Sequence, residues 1–213
     1  MNFDIVVIGG GHAGVEAATV AARMNNQTCL ITMSENDIGQ LSCNPAIGGI
    51  GKGHLVREID VFGGMIGKLA DQSCIHFKML NATKGEAVQG GRMQIDRELY
   101  QKASRHAIQN HKNLSCVFDE VIDIETHDNY LSIIAQTKTI TAKKVIITTG
   151  TFLGGKLFLG DKTIEGGRLN DKPSNLLAQT ITKTHKTLRL NTGTPPRIYH
   201  DTINYENLEQ QLE

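Results

Sequence analysis

Asp4 to Ala18 read "DIVVIGGGHAGVEAA", and the fold follows from how these fifteen residues change character at the glycines. Phe3 to Ile8 form a short apolar run rich in β-branched residues, which predicts a strand buried on both faces. Gly9, Gly10 and Gly11 end it. The next segment, "HAGVEAATVAARM", sets alanines and other small residues at helical spacing, as suits a helix lying close on a sheet. Asn25 and Asn26 stop that helix, and "TCLIT", Thr28 to Thr32, reads as a second strand. The result is a βαβ unit.

Gly9, Gly11 and Gly14 stand in G-x-G-x-x-G spacing between the strand and the helix, the context this motif requires. Gly9 permits the tight turn, Gly11 lets backbone approach a pyrophosphate, and Gly14 lets the helix pack closely. The phosphates then meet free N–H groups at a helix N-terminus, where the dipole favours anions. The acidic residue expected about 20 residues further on to grip a ribose falls instead at Thr32 or Met33. Glu35 is the nearest carboxylate, so the ribose contact is either weaker or made by Glu35 after a turn.

The bulk numbers set outer limits. At 213 residues the chain has room for one large domain or a domain and a half, since domains hold ~100 to 200 residues. Lys plus Arg and Asp plus Glu each total 22, so no global field points to a nucleic acid or a membrane. Cys29, Cys43, Cys74 and Cys116 form no CxxC pair and no metal-like spacing with the histidines, which argues against zinc and against a disulfide framework. No apolar run approaches the ~20 residues of a membrane span, and the opening residues show no leader. A cytoplasmic protein with no membrane partner is the expectation.

Beyond residue 33 the pattern changes. Residues 33–91 read as a long, loop-rich insertion, with a helix near His54 to Phe62 and a strand near Ile75 to Leu80. "QIDRELYQKASRHAIQ" predicts a helix over Gln94 to Gln109, with Ile95, Leu99, Ala103 and Ala107 on one face. The segments "LSCVFDEVIDIET", "YLSIIAQT" and "KTITAKKVIITTG" predict a β-meander followed by one more buried strand, Lys144 to Thr149. Residues 1–150 then make one domain, and 151–213 begin a second region, with a helix near Asn175 to Thr184, a strand near Leu188 to Asn191 and a helix-prone end. The strand ending Thr148-Thr149-Gly150 resembles one that follows a β-meander in two-domain flavoproteins of the glutathione reductase type. Two glycine signals in this order favour FAD over NAD.

The insertion opens with "LSCNPAIGGIGKGH", Leu41 to His54. It is no P-loop: the first glycine of G-x-x-x-x-G-K-[ST] would be Ala46, and Lys52 is followed by Gly53. An anion-binding nest of glycine N–H groups beside Lys52 and His54 remains open. Asn44-Pro45 holds Cys43 on a loop, a setting in which a thiol can be tuned for nucleophilic work. A packing role for that thiol is equally consistent with the residues.

Five stretches, "DIVVIGGGHAGVEAA", "GQLSCNPAIGGIGKGHLVREID", "LNATKGEAVQGGRMQIDR", "TTGTFLGGK" and "TGTPPR", together resemble the N-terminal part of the glucose-inhibited division protein A family, which modifies tRNA uridine. The resemblance spans essentially the whole chain. It implies an α/β fold: an FAD-binding, Rossmann-like, doubly wound parallel sheet of the glutathione reductase type, with a β-meander and an inserted substrate region. It implies FAD-dependent formation of 5-carboxymethylaminomethyluridine at the tRNA wobble position. NADH and methylenetetrahydrofolate are the implied co-substrates, and a tRNA-modification GTPase, in a heterotetramer with a homodimer of the intact protein, is the implied partner.

Carried over by position, Gly9, Gly10, Gly11, His12, Ala13 and Gly14 hold the FAD pyrophosphate, Val121 meets the adenine through its backbone, and Ser174 is a further FAD contact. By themselves, Val121 reads as a core strand residue and Ser174 as a helix N-cap. Cys43 matches a cysteine given a catalytic role, as nucleophile to uridine C6 or proton donor. Lys52, His54, Arg57, Lys84, Arg92 and Arg197 lie in glycine- or proline-rich loops that suit RNA or folate, with Arg92 and Arg197 the better anion contacts. Family members are much longer, so the chain reads as an incomplete fragment that is inactive in isolation.

Overall fold

The apolar pattern of the first thirty residues folds as β1 (Asn2–Ile8), α1 (His12–Arg23) and β2 (Thr28–Thr32). The computed structural model describes residues 1–42, 44–193 and 198–209. Next come β3 (Ala46–Gly48), α2 (Lys52–Val61), α3 (Ile66–Ser73), β4 (Cys74–Leu80), β5 (Gly90–Ile95) and α4 (Arg97–Gln109). The chain goes on through β6 (Leu114–Phe118), β7 (Val121–Thr126), β8 (Leu131–Ala135), β9 (Thr139–Ile147), β10 (Lys156–Leu159), β11 (Lys162–Glu165) and α5 (Asn175–Thr184).

The main sheet has six strands in the order β6-β2-β1-β9-β8-β7. Strands β6, β2, β1 and β9 are parallel, and β8 and β7 join antiparallel. Both faces of β1 are covered, as its continuous apolar run requires. Val7 packs with Val15, Leu30, Leu69 and Tyr100 under the helices. Val6 and Ile8 pack with Cys29, Ile133, Ile140 and Leu177 on the other face. Helix α1 ends where Asn25 takes φ +64, a left-handed stop that asparagine tolerates.

Helix α5 belongs to the second face, through buried Leu177 and a 2.7 Å bond from the Thr180 hydroxyl to Asp123. Residues 175–184 are thus tied to the main sheet, while β10 and β11 form a separate hairpin. The insertion folds as a three-stranded sheet, β3-β5-β4, with α2 and α3.

Several details differ from the sequence expectation. The meander and its following strand are one: β9 runs unbroken from Thr139 to Ile147, pairing β8 through its first half and β1 along most of its length. Helix α4 starts at Arg97, because Gln94 and Ile95 finish β5 and the Asp96 carboxylate caps the helix by accepting from the Leu99 amide at 2.9 Å. Its buried face is Tyr100, Ser104 and Ile108, with Leu99 half exposed. No strand forms near Leu188 to Asn191, where Leu188 and Leu190 are exposed without a neighbouring strand. The described residues after Tyr205 hold a turn and no helix.

Candidate functional site

The strand order places the site. From β1 the chain passes through α1 to β2 on one side, while β9 adjoins β1 on the other, so the carboxyl ends of β1 and β9 flank a topological switch point. Crevices of this kind bind ligands in open α/β sheets. Ile8 and Ile147 are register partners, and the next residues make the cleft. The Thr148 amide donates to the Ile8 carbonyl at 2.8 Å, and its hydroxyl lies 2.9 Å and 3.0 Å from the Ile8 and Gly9 carbonyls.

The glycines of the turn have separate reasons. At Gly9, φ is +106 and a Cβ would stand 2.6 Å from the Thr148 carbonyl oxygen. At Gly14 a Cβ would run into the Gly9 carbonyl. Gly11 differs: φ is −64, open to any residue, and the nearest atom to an added Cβ is the Gln40 carbonyl at 3.9 Å. No close contact among the described residues requires glycine there. Gly11 lines the cleft. No side chain caps α1 and no acidic residue lies in its first turn, so the amides with no intrahelical partner are left for a ligand.

The cleft encloses about 270 Å³, with Ile8, Ile31, Leu41, Val121, Phe152 and Leu177 as apolar walls. It brings together Gly9, Gly10, Gly11, His12, Ala13, Val121 and Ser174, while Gly14 packs behind the turn. Ser174 occupies the N-cap position of α5 and is buried, but its hydroxyl makes no cap bond. The capping explanation for this serine is therefore corrected. Val121, at the start of β7, is both core residue and cleft wall.

The carboxylate beyond β2 is a second correction. Glu35 turns to α4, where its Oε1 accepts from Gln109 at 3.2 Å, and Asp37 lines the cleft instead. Asp37 closes a reciprocal box with Ser34, accepting from the Ser34 amide at 2.8 Å. The spacing Ser34-x-x-Asp37 carries that signal in the sequence. Asp119 was also missed. Burial alone would raise its pKa, but hydrogen bonds from the Thr137 hydroxyl at 2.6 Å and from the Thr137 and Glu120 amides outweigh it and hold the carboxyl below its usual range.

Burial, helped by the nearby Lys52 charge, lowers the His12 imidazole to about 4. It is neutral at neutral pH. Lys52, the first residue of α2, also lines the cleft. The glycines ahead of it serve as a seam. Gly48, Gly49 and Gly51 have positive φ, a Cβ on Gly48 would strike the Gly91 carbonyl, and the Gly49 amide donates to that carbonyl at 2.9 Å.

Cys43 and Arg197 lie outside the described residues; Ser42 and Asn44 line the cleft. The other basic candidates are spread elsewhere. Arg92 is half-buried in β5, His54 donates through Nε2 to the Ala87 carbonyl at 3.1 Å, and Arg57 and Lys84 are exposed. None of these four lines the cleft. Cys29 is fully buried, and burial pushes its thiol up to about 12. No helix of the described residues is long and apolar enough to cross a membrane.

Known structures share this arrangement. The chain superposes on Aquifex aeolicus GidA with a TM-score of 0.90 and 45% sequence identity, covering 98% of this chain and 35% of that one. It therefore spans about a third of that relative's length. A GidA-related protein from Thermus thermophilus matches at TM-score 0.60 and 15% identity, over 85% of this chain and 68% of that one. A p-nitrophenol 4-monooxygenase from Pseudomonas putida matches at TM-score 0.51 and 15% identity, over 70% of this chain and 42% of that one. These last two likenesses concern the fold. Residues 4–213 match the family model described as glucose inhibited division protein A, and with the close match to the Aquifex structure this establishes that the chain belongs to that family.

Proposed function

We propose that the cleft is the FAD site of a tRNA-modifying flavoenzyme. The observation that carries this is the turn at the switch point: a helix N-terminus with no capping side chain beside Gly11, which lines the cleft and meets no described atom closer than 3.9 Å from an added Cβ. Backbone groups of Gly9, Gly10, Gly11, His12 and Ala13 hold the diphosphate, with Gly14 allowing the close turn. The Val121 backbone meets the adenine, and the Ser174 hydroxyl supplies a further contact. The apolar walls suit flat rings and exclude water. Bound there, FAD supplies the redox chemistry, and the protein's share is orientation and electrostatics.

For the whole protein the reaction is formation of 5-carboxymethylaminomethyluridine at the tRNA wobble position in the cytoplasm. NADH is the reductant, methylenetetrahydrofolate the one-carbon source, and a GTPase the partner, assembled with a homodimer of the flavoprotein. Cys43, between two residues that line the cleft, acts as nucleophile to uridine C6 or as proton donor. The test is mass analysis of tRNA nucleosides from cells carrying the intact gene, a deletion, or Cys43→Ser. The expected result is loss of the modified wobble uridine in both altered strains. An unchanged nucleoside profile in the deletion strain overturns the tRNA reading, and full modification with Cys43→Ser overturns the role of the thiol alone.

A further inference from the structure

The charges lining the cleft are out of balance for a dinucleotide. Among the described lining residues the ionisable side chains are His12, Asp37, Lys52 and Asp119. Hydrogen bonds hold the Asp119 carboxyl below its usual range, and a second carboxyl, Asp37, lines the cleft where it accepts from the Ser34 amide, so acidic groups outnumber the basic one on the walls before a diphosphate arrives. His12 offers no positive charge at neutral pH. Lys52 is the only lysine or arginine among these residues. In a half-enclosed cleft, where charges are poorly screened, that ammonium adds to the pull of the turn's amides on an anion.

We infer that Lys52 is the counter-cation of the cofactor's diphosphate, delivered from the start of α2 to the same turn that α1 presents. This rests on the FAD reading of the cleft and assigns to Lys52 a task different from an RNA or folate contact. Three observations support it. Lys52 lines the cleft and is half-buried, unlike the exposed Arg57 further along α2. It shares the cleft wall with Gly11 and His12, and its charge adds to the lowering of the His12 imidazole. Its backbone is fixed, because the glycine seam ties the start of α2 to Gly91 of β5, so only the side chain is left to order when an anion binds. The glycine-rich stretch before Lys52 thus acts on phosphate indirectly, by holding a lysine in position.

The experiment uses protein expressed from the whole reading frame, stripped of flavin, and measures affinity for FAD, ADP and riboflavin. FAD and ADP carry the diphosphate; riboflavin has the ring system and no phosphate. Lys52→Gln should weaken FAD and ADP together, roughly tenfold, and leave riboflavin unchanged. The wild-type affinity for ADP should fall with added salt more steeply than that of the variant. Lys52→Arg should recover most of the loss, and Lys68→Gln on the exposed face of α3 should have no effect. A Lys52→Gln protein that melts like wild type and binds FAD and ADP equally well overturns the proposal while the FAD reading stands. Equal losses for riboflavin and FAD also overturn it, by putting Lys52 on the ring. A folded wild-type protein that takes up neither FAD nor ADP overturns the FAD reading and this proposal together.

Discussion

Gly11 and Gly14 sit in one turn, yet replacing them separates ligand contact from packing. Gly11→Ala meets no described atom closer than 3.9 Å and keeps an allowed φ, so with both proteins stripped of flavin its stability should stay within about 0.5 kcal/mol of wild type while flavin retention falls. Gly14→Ala strikes the Gly9 carbonyl and should cost about 1–3 kcal/mol, as overpacking does. Chemical denaturation beside flavin content distinguishes the two, and equal stability losses would contradict the distinction. His12 adds a pH dependence. Unfolded, it takes a proton near its ordinary 6.5; folded, only near 4. Between those values the unfolded chain binds more protons. Its contribution is therefore complete above pH 6.5 and declines as pH falls towards 4. Denaturation midpoints through that window should drop less for His12→Gln than for wild type, and parallel curves would rule this out.

At the level of elements, the parts whose pattern is local were legible and the parts set by neighbours were not. Strand β2 and helix α5 run over the residues the sequence predicts, and β1 differs by one residue. Helix α3 was missed although Ile66, Leu69, Ala70 and Ser73 keep a helical period on its buried face, because the glycines ahead of it read as loop. Strands β3 and β5 were missed because their short, glycine-rich segments show no period of their own. They exist by pairing with one another and by the seam at Gly91. The face of α4 was read in part: Ala103 and Ala107 pack on the core as expected, whereas Leu99 is half exposed and the polar Ser104 is buried against Gly39, whose missing side chain lets the helix approach. In the cleft, the glycines announced themselves by spacing, whereas Asp119 and Lys52 come from distant segments that only the fold unites. The seam makes its own prediction. Gly48→Ala combines a φ of +93 with a collision at the Gly91 carbonyl, so it should destabilise the insertion by more than about 1 kcal/mol and raise hydrogen exchange in α2 and β5. Wild-type exchange rates there would show that the seam does not hold α2.

For the whole molecule, the sheet order puts the proposed cofactor cleft at the switch point. The switch point between β1 and β9 is built from residues 8–13 and 148–152, and Val121, Ser174 and Lys52 reach it from the meander, α5 and the insertion. Since the chain spans 35% of the Aquifex relative, the protein to assay is the product of the whole reading frame. The most direct measurement is to purify that protein, denature it, and identify and quantify what is released by mass spectrometry, alongside the Gly11→Ala variant. The expected result is FAD, close to one per chain, in the wild type, and much less in a Gly11→Ala protein whose flavin-free form unfolds at the same denaturant concentration as flavin-free wild type. A folded wild-type protein that releases no flavin and takes none up on incubation with FAD would contradict it.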